Sequence, residues 1–293
     1  MATTQKTAAP AKKSTGFQGI KAAFWIIVVC FILAALFYYF FLGATDQSAL
    51  FDPHITINGK GDAEPFRDPE TGDPSMLGTI YKGGIVVPVI LTLLFTVIAL
   101  SIERWLALNT AFGKGKLPKF VANIKAALNA NDFAKAQQLC DAQRGTVANV
   151  VGASLKAYKE MEATSGIKKE QKIARIQQAH EEATQLEMPT LTMNMPIIAT
   201  IVTLGTLTAL FGTVVGMIKS FAALANGGGA DSQALSTGIS EALVNTASGI
   251  LTSWVAVVAY NYYTNKIDKL TFALDEVGYS IAQTYEANHA EEA

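Results

Sequence analysis

The stretch Gly238 to Asn261, GISEALVNTASGILTSWVAVVAYN, carries a glutamate near its start and then no charge until Lys266. Its polar residues include Ser240, Glu241, Asn245, Thr246, Ser248, Thr252 and Ser253, with Asn261 at the end. On a helix turning about 100° per residue, Glu241, Asn245, Ser248 and Thr252 fall along one line, with Thr246, Gly249, Ser253 and Ala256 beside it. Leu243, Val244, Ile250, Leu251, Trp254, Val255 and Val258 fill the other side. The preceding apolar stretch, IIATIVTLGTLTALFGTVVGMI, divides the same way. Thr206, Thr213 and Ser220 recur at seven-residue spacing, next to a small-residue seam of Gly205, Ala209, Gly212 and Gly216.

An ionisable group inside an apolar helix is costly and by default points to an ion pathway. The plainer reading is that Ser and Thr bond a carbonyl one turn back, and that glycine seams let helices approach closely in lipid. Any single threonine here fits the plainer reading better. The aligned set Thr206, Thr213, Glu241, Asn245 and Thr246 favours a polar conduit, with Gly205, Gly212, Gly216 and Gly249 as packing positions. The depth of Glu241 depends on where its helix begins. A start near Gly238 leaves it at the interface, and a start as early as Asp231 places it deeper.

These seams need membrane helices to carry them. A bilayer core takes about 20 mostly apolar residues per helix, and four stretches qualify: 24–43, 84–106, 197–218 and 238–264. The first is too long for a cleaved signal core and has no small-residue cleavage site close behind it. Its aromatic end, Phe37 to Phe41, suits an interfacial belt. Lys6, Lys12, Lys13 and Lys21 precede the first span; Arg104, Lys114, Lys116 and Lys119 follow the second; Lys266 and Lys269 follow the fourth. Basic flanks mark the cytoplasmic side, so both termini are expected inside.

The expected organisation is then a cytoplasmic tail 1–23, an external acidic segment 44–83, a cytoplasmic helical domain 107–196, an external loop 219–237 and a cytoplasmic helical tail 265–293. In the cytoplasmic domain, LPKFVANIKAALNANDFAKAQQLCDAQR reads as two amphipathic helices broken at Asn129 to Asp132. TVANVVGASLKAYKEMEA reads as a third, ending before Gly166. KKEQKIARIQQAHEEATQLEM reads as a fourth, ending at Pro189, with Pro189 and Pro196 bending the chain into the third span. The only hint of a strand is HITING, in the external segment. The fold class is an all-α membrane protein of four transmembrane helices, the last two extended into long cytoplasmic helices.

Several chemistries find no support. The formal net charge of −1 gives no case for nucleic-acid binding. Cys30 and Cys140 lie in unlike surroundings, so no structural disulfide is expected. His54, His180 and His289 are scattered, so neither a metal site nor a cofactor is expected. GTVVGMIKS has the wrong glycine–lysine spacing for a phosphate loop, and DPETGDPS lacks calcium-loop spacing. No Ser/His/Asp or Cys/His arrangement suggests an enzyme.

ALFGTVVGMIKSF, Ala209 to Phe221, followed by STGISEALVNTASGI and VAVVAYN, resembles the MotA/TolQ/ExbB proton-channel family, most of all its ExbB and TolQ branch. The family pattern is GT-V-G-I/M-x-x-F, a short loop, then G-I-x-E-A-L-x-x-T-A-x-G and a Y-N ending. The match is dense from Leu204 to Asn261 and weaker over LNANDFAKAQQLCDAQRGTVANVVGASL. The resemblance implies a bacterial inner-membrane pentamer around two copies of a single-span partner of the ExbD/TolR type. That partner's membrane aspartate faces threonines corresponding to Thr213 and Thr246, and the family glutamate corresponds to Glu241. It further implies proton flow that turns the partner and, in the ExbB case, energises uptake through a TonB-like protein. This chain departs where the family often has proline (Thr206 and near Val255) or glycine (Ala209), and it adds a first span that the three-span ExbB pattern lacks. Stators of the MotA kind have four spans, but their motifs fit less well.

The expectation is an ExbB-like subunit of a proton-driven motor. The alternatives are a TolQ-like, flagellar-type or gliding stator subunit, or a non-conducting scaffold whose seams only assemble helices.

Overall fold

A computed structural model describes residues 23–42, 80–81, 83–226 and 232–289. The acidic segment 44–79, the basic residues before Ala23 and the glycine-rich turn 227–231 lie outside the described residues, as does HITING. The described residues are helical, with no strand among them.

Among the described residues, eight α-helices follow one another. They are α1 (Ala23–Leu36, continued by a π-helical segment Phe37–Leu42), α2 (Val86–Phe112), α3 (Leu117–Asn129), α4 (Phe133–Gln143), α5 (Gly145–Ala163), α6 (Lys169–Thr192), α7 (Met195–Asn226) and α8 (Ser232–Asn288). Among the described residues, four helical stretches are long and apolar enough to cross a membrane: Ala23–Leu42, Val86–Asn129, Lys169–Ala222 and Leu235–Asn288. The chain is an all-α, multi-pass membrane protein. It divides into two compact units.

The apolar unit comprises 21–102 and 194–261. Its outer surface is what lipid demands. Phe24, Trp25, Phe31 and Phe40 of the first span, Leu207, Leu210, Phe211 and Ile218 of α7, and Leu243, Ile250, Trp254 and Val258 of α8 are all exposed. Inside, Val97, Ile201 and Ala256 join α2, α7 and α8. Tyr38, Leu42 and Val87 join the first span to α2, with Val244 of α8 packed against them. Pro88 sits in the first turn of α2, where a missing N–H leaves no bond unmade.

The polar unit comprises 103–193 and 262–293, with its described residues in α2 to α6 and the end of α8. The expected break at Asn129 to Asp132 is present. Asn131 takes a positive φ of 54°, and Asp132 caps α4 by accepting from the Lys135 N–H at 2.9 Å. α5 ends at Ala163, before Gly166, as its sequence indicates. Tyr158 anchors the core, with its ring 4.3 Å from Phe133 and 4.8 Å from Tyr285.

One boundary differs from expectation. α6 runs through Pro189 to Thr192. Proline removes one backbone bond and normally ends or kinks a helix. The carbonyls of the last turn beyond it find a donor. Arg104, fully buried, gives its Nη1 to Thr190 O at 3.1 Å and Leu191 O at 3.3 Å. Its Nε meets Glu103 Oε2 at 2.6 Å. The chain instead breaks at Asn194, whose φ is 64°. Pro196 falls at the start of α7, where proline is tolerated.

Candidate functional site

The small seam on α7 lies against α8. A Cβ at Gly216 would come within 2.8 Å of Gly238 O, and one at Gly249 within 2.6 Å of Gly205 O. A Cβ at Gly212 would lie 2.7 Å from the Asn245 Cβ. Gly205, Ala209, Gly212, Gly216 and Ser220 therefore form the buried stripe of α7, and Gly238, Ala242, Asn245 and Gly249 answer them from α8. With no side chain between them the backbones nearly touch. In lipid, dispersion contacts of this kind take the place of the hydrophobic effect.

Close approach aligns the polar residues on the seam's flanks. On one flank, Thr213 Oγ1 and Thr246 Oγ1 are 2.5 Å apart. One and a half to two turns away, Thr206 Oγ1 and Ser253 Oγ are 3.0 Å apart. Both threonines of the first pair also face the carbonyl one turn back, Ala209 O and Ala242 O, each at 3.0 Å. A hydroxyl has one proton to give. Two protons cannot fill three hydrogen bonds, so the pair has two arrangements: Thr213 donates to Thr246, or the reverse. A hydroxyl pair that can reverse its donor direction is the unit a proton relay needs.

Glu241 turns elsewhere. Five residues before Thr246, it is about 140° away around the helix. Its carboxylate is buried, accepts from Lys219 Nζ at 2.6 Å, and lies against Gly84. A Cβ at Gly84 would come within 2.8 Å of Glu241 Cδ. α8 begins at Ser232, so Glu241 sits more than two turns inside its helix. Lys219 is half exposed, and its ammonium can leave the pair by rotation of a flexible side chain.

Asn245 lies between these flanks. It is fully buried, and neither Oδ1 nor Nδ2 has a hydrogen-bond partner among the described residues. An unmet carboxamide costs about 1–3 kcal/mol. Ser248 and Thr252 complete the line read from sequence; Thr252 is buried and donates to Ser248 O at 2.9 Å.

Of the polar set, then, Thr213 and Thr246 meet, Thr206 meets Ser253 rather than either of them, and Glu241 meets Lys219. Lys219 was not among the candidates read from sequence. Its signal was available: it is a lone lysine on α7, facing a span whose one acidic residue lies near the matching depth. Among the described residues, no group of three or more His, Cys, Asp or Glu side chains converges as a metal site.

Comparison with known proteins follows this geometry. The model of the MotA/TolQ/ExbB proton channel family matches residues 147–276, from α5 through the middle of α8. The Tol-Pal system protein TolQ of Pseudomonas aeruginosa is 26% identical over 204 residues, 67% of this chain and 86% of that protein. A putative biopolymer transport protein, ExbB-like 1, of Synechocystis is 28% identical over 65% of this chain and 71% of its own length. A second Synechocystis protein, ExbB-like 3, is 34% identical over 87 residues, which is 41% of its length. The matched segment holds both halves of the α7–α8 seam, with Thr213, Thr246 and Glu241. Residues 147–276 thus resemble the MotA/TolQ/ExbB proton channel family, and the chain is similar to TolQ and ExbB-like proteins.

Proposed function

We propose that this chain is the multi-span subunit of a proton-driven motor in the bacterial inner membrane, and that Thr213 and Thr246 form its proton-bearing contact. The observation that carries the reading is the 2.5 Å hydroxyl pair across α7 and α8, inside the family-matched segment. On this reading the chain forms a homo-oligomer, a pentamer by family resemblance, around an ExbD/TolR-like single-span partner. That partner's membrane acid exchanges protons with the hydroxyl pair. Glu241 and Lys219 form a charged layer on the other flank, and Thr206 and Ser253 continue the hydroxyl flank. Both termini and the polar unit lie in the cytoplasm, and 44–83 and 219–237 lie outside.

The ExbB-like role is to energise TonB-dependent outer-membrane transport. The TolQ-like role is the second reading, favoured by the match to a TolQ protein over most of its length. A mild-detergent pull-down from native membranes tests the common part. A co-purifying single-span protein with an aspartate in its span supports the motor. The chain recovered as an oligomer with no such partner supports a scaffold. Nutrient starvation in a deletion strain marks the ExbB-like role, an outer-envelope defect the TolQ-like role, and motility loss a stator.

A further inference from the structure

The first span lies outside the family-matched segment, yet its chemistry reaches Glu241. Tyr38, in the π-helical segment, is buried among the helices. Its hydroxyl lies 2.8 Å from Tyr81 O and 3.2 Å from Gly84 O and shares its one proton between them. Its ring stacks on Tyr81, with centroids 5.2 Å apart and planes 27° apart. These contacts hold the turn that leads into α2, which is also closed by Gly83 N–H to Ile80 O at 3.0 Å and Val87 N–H to Gly84 O at 3.2 Å.

The turn has a specific shape. Gly84 takes a φ of 74°, a conformation that side chains rarely adopt. The space a Cβ would fill is taken by the Glu241 carboxylate. Glu241 is thus held between the bare backbone of Gly84 on one side and Lys219 Nζ on the other. A carboxylate fixed in this way has little rotamer freedom, and its position is set by the turn. The turn's position is set in turn by a hydroxyl from the first span. The cluster of Tyr38, Leu42 and Val87 packed on Val244 ties the same span to α8 within one turn of Glu241.

We propose that the first span is a positioning element for Glu241, with Tyr38 as the positioning residue acting through Gly84. This rests on the sequence reading that Glu241 belongs to the polar conduit with Thr213 and Thr246, and the experiment separates the two. The native assembly, with whatever partner co-purifies, is reconstituted in vesicles as wild type, Tyr38→Phe, Gly84→Ala and Glu241→Gln. Two quantities are measured: proton flux, and the infrared carboxylate bands that vanish in Glu241→Gln.

Tyr38→Phe keeps the ring and its apolar cluster. Its expected result is shifted or broadened Glu241 bands, with flux lowered about tenfold, the scale of a small misplacement. Gly84→Ala is expected to lower flux further, and Gly84→Ala with Glu241→Asp to regain part of it, because the shorter acid retreats from the added methyl. A merely structural role for Tyr38 would not move the carboxylate bands. Wild-type bands in Tyr38→Phe overturn the positioning role, whatever the flux. Full flux in Glu241→Gln instead overturns the part of the functional reading that uses Glu241, and the bands of Tyr38→Phe still decide the positioning role.

Discussion

Gly212 and Asn245 face each other across the α7–α8 contact, and the glycine is what lets the asparagine in. A Cβ at 212 would lie 2.7 Å from the Asn245 Cβ. The same closeness sets the spacing of the hydroxyl pair on one flank and the ion pair on the other. Packing and polar chemistry are therefore one device here: widening the seam separates Thr213 from Thr246.

The seam prediction follows directly. Gly249→Ala drives a methyl into Ala209 and Gly205 O, with backbone rather than a flexible side chain in the way. Its expected cost is about 1–3 kcal/mol, read as a lower melting temperature in detergent. Gly152, which has nothing within 4 Å of its Cβ position, is the control. Gly152→Ala is expected to leave melting unchanged or raise it. Equal melting of Gly249→Ala and wild type would contradict the close seam.

Lys219 and Glu241 are expected to be coupled. Lys219→Met leaves a buried carboxylate without its cation, and Glu241→Gln leaves the lysine without its acceptor. Lys219→Met should destabilise by about 1–3 kcal/mol, Glu241→Gln by less because the half-exposed Lys219 stays solvated, and the double change should cost less than their sum. Additive losses would show that the pair does not hold in the membrane.

His180 gives the polar unit a pH dependence. Its Nδ1 lies 2.9 Å from Ser154 Oγ, which also lies 2.9 Å from Val150 O. The Ser154 hydroxyl and the Nδ1 nitrogen share a hydrogen bond in either direction, and Nε2 faces Gly278 with no partner among the described residues. Burial lowers its pKa below the usual 6.5, overriding the pull of Asp275 and Glu181. The folded state thus disfavours the charged ring. Stability is fully present above about 6.5, the unfolded value, and falls as pH drops below it towards the lower folded value. His180→Phe would abolish the ring's protonation. Melting curves from pH 8 down to pH 5 should show a decline in wild type that is smaller in His180→Phe; parallel curves would contradict the assignment.

Cys140 is buried, and burial with the nearby Asp141 pushes its thiol up to about 12. The thiolate is the reactive form. Alkylation at pH 8 should leave Cys140 unmodified until denaturant is added, as peptide mass spectrometry would show. Rapid native labelling would contradict its placement on the buried face of α4.

Much of this was legible in the residues. The four spans are runs of apolar side chains long enough to leave no alternative, and the α7–α8 pairing is written in glycines at three- and four-residue spacing. The Asn129–Asp132 break was legible because Asp132 is a good cap. What escaped were partners far apart in sequence. Arg104 read as a flanking charge, although it donates to the carbonyls of a helix some 86 residues on and caps the last turn of α6 beyond Pro189. Tyr38 read as part of an aromatic belt, whereas its hydroxyl faces inward to a turn. Wheel geometry placed Glu241, Asn245 and Thr252 in one line but could not say that α7 and the turn before α2 would share that line between them, with Gly84 meeting Glu241 and Gly212 meeting Asn245.

The central claim is that the Thr213–Thr246 contact bears protons, and flux through the native assembly tests it most directly. Thr213→Val and Thr246→Val keep shape and remove one hydroxyl each, while Thr213→Ser keeps the hydroxyl. Vesicles given an inward proton gradient should show flux reduced about tenfold or more in either valine variant, the scale of one lost positioned proton donor or acceptor. Thr213→Ser should retain most of it, with oligomer size unchanged in all three. Wild-type flux in both valine variants would contradict the account and leave the hydroxyl pair as packing.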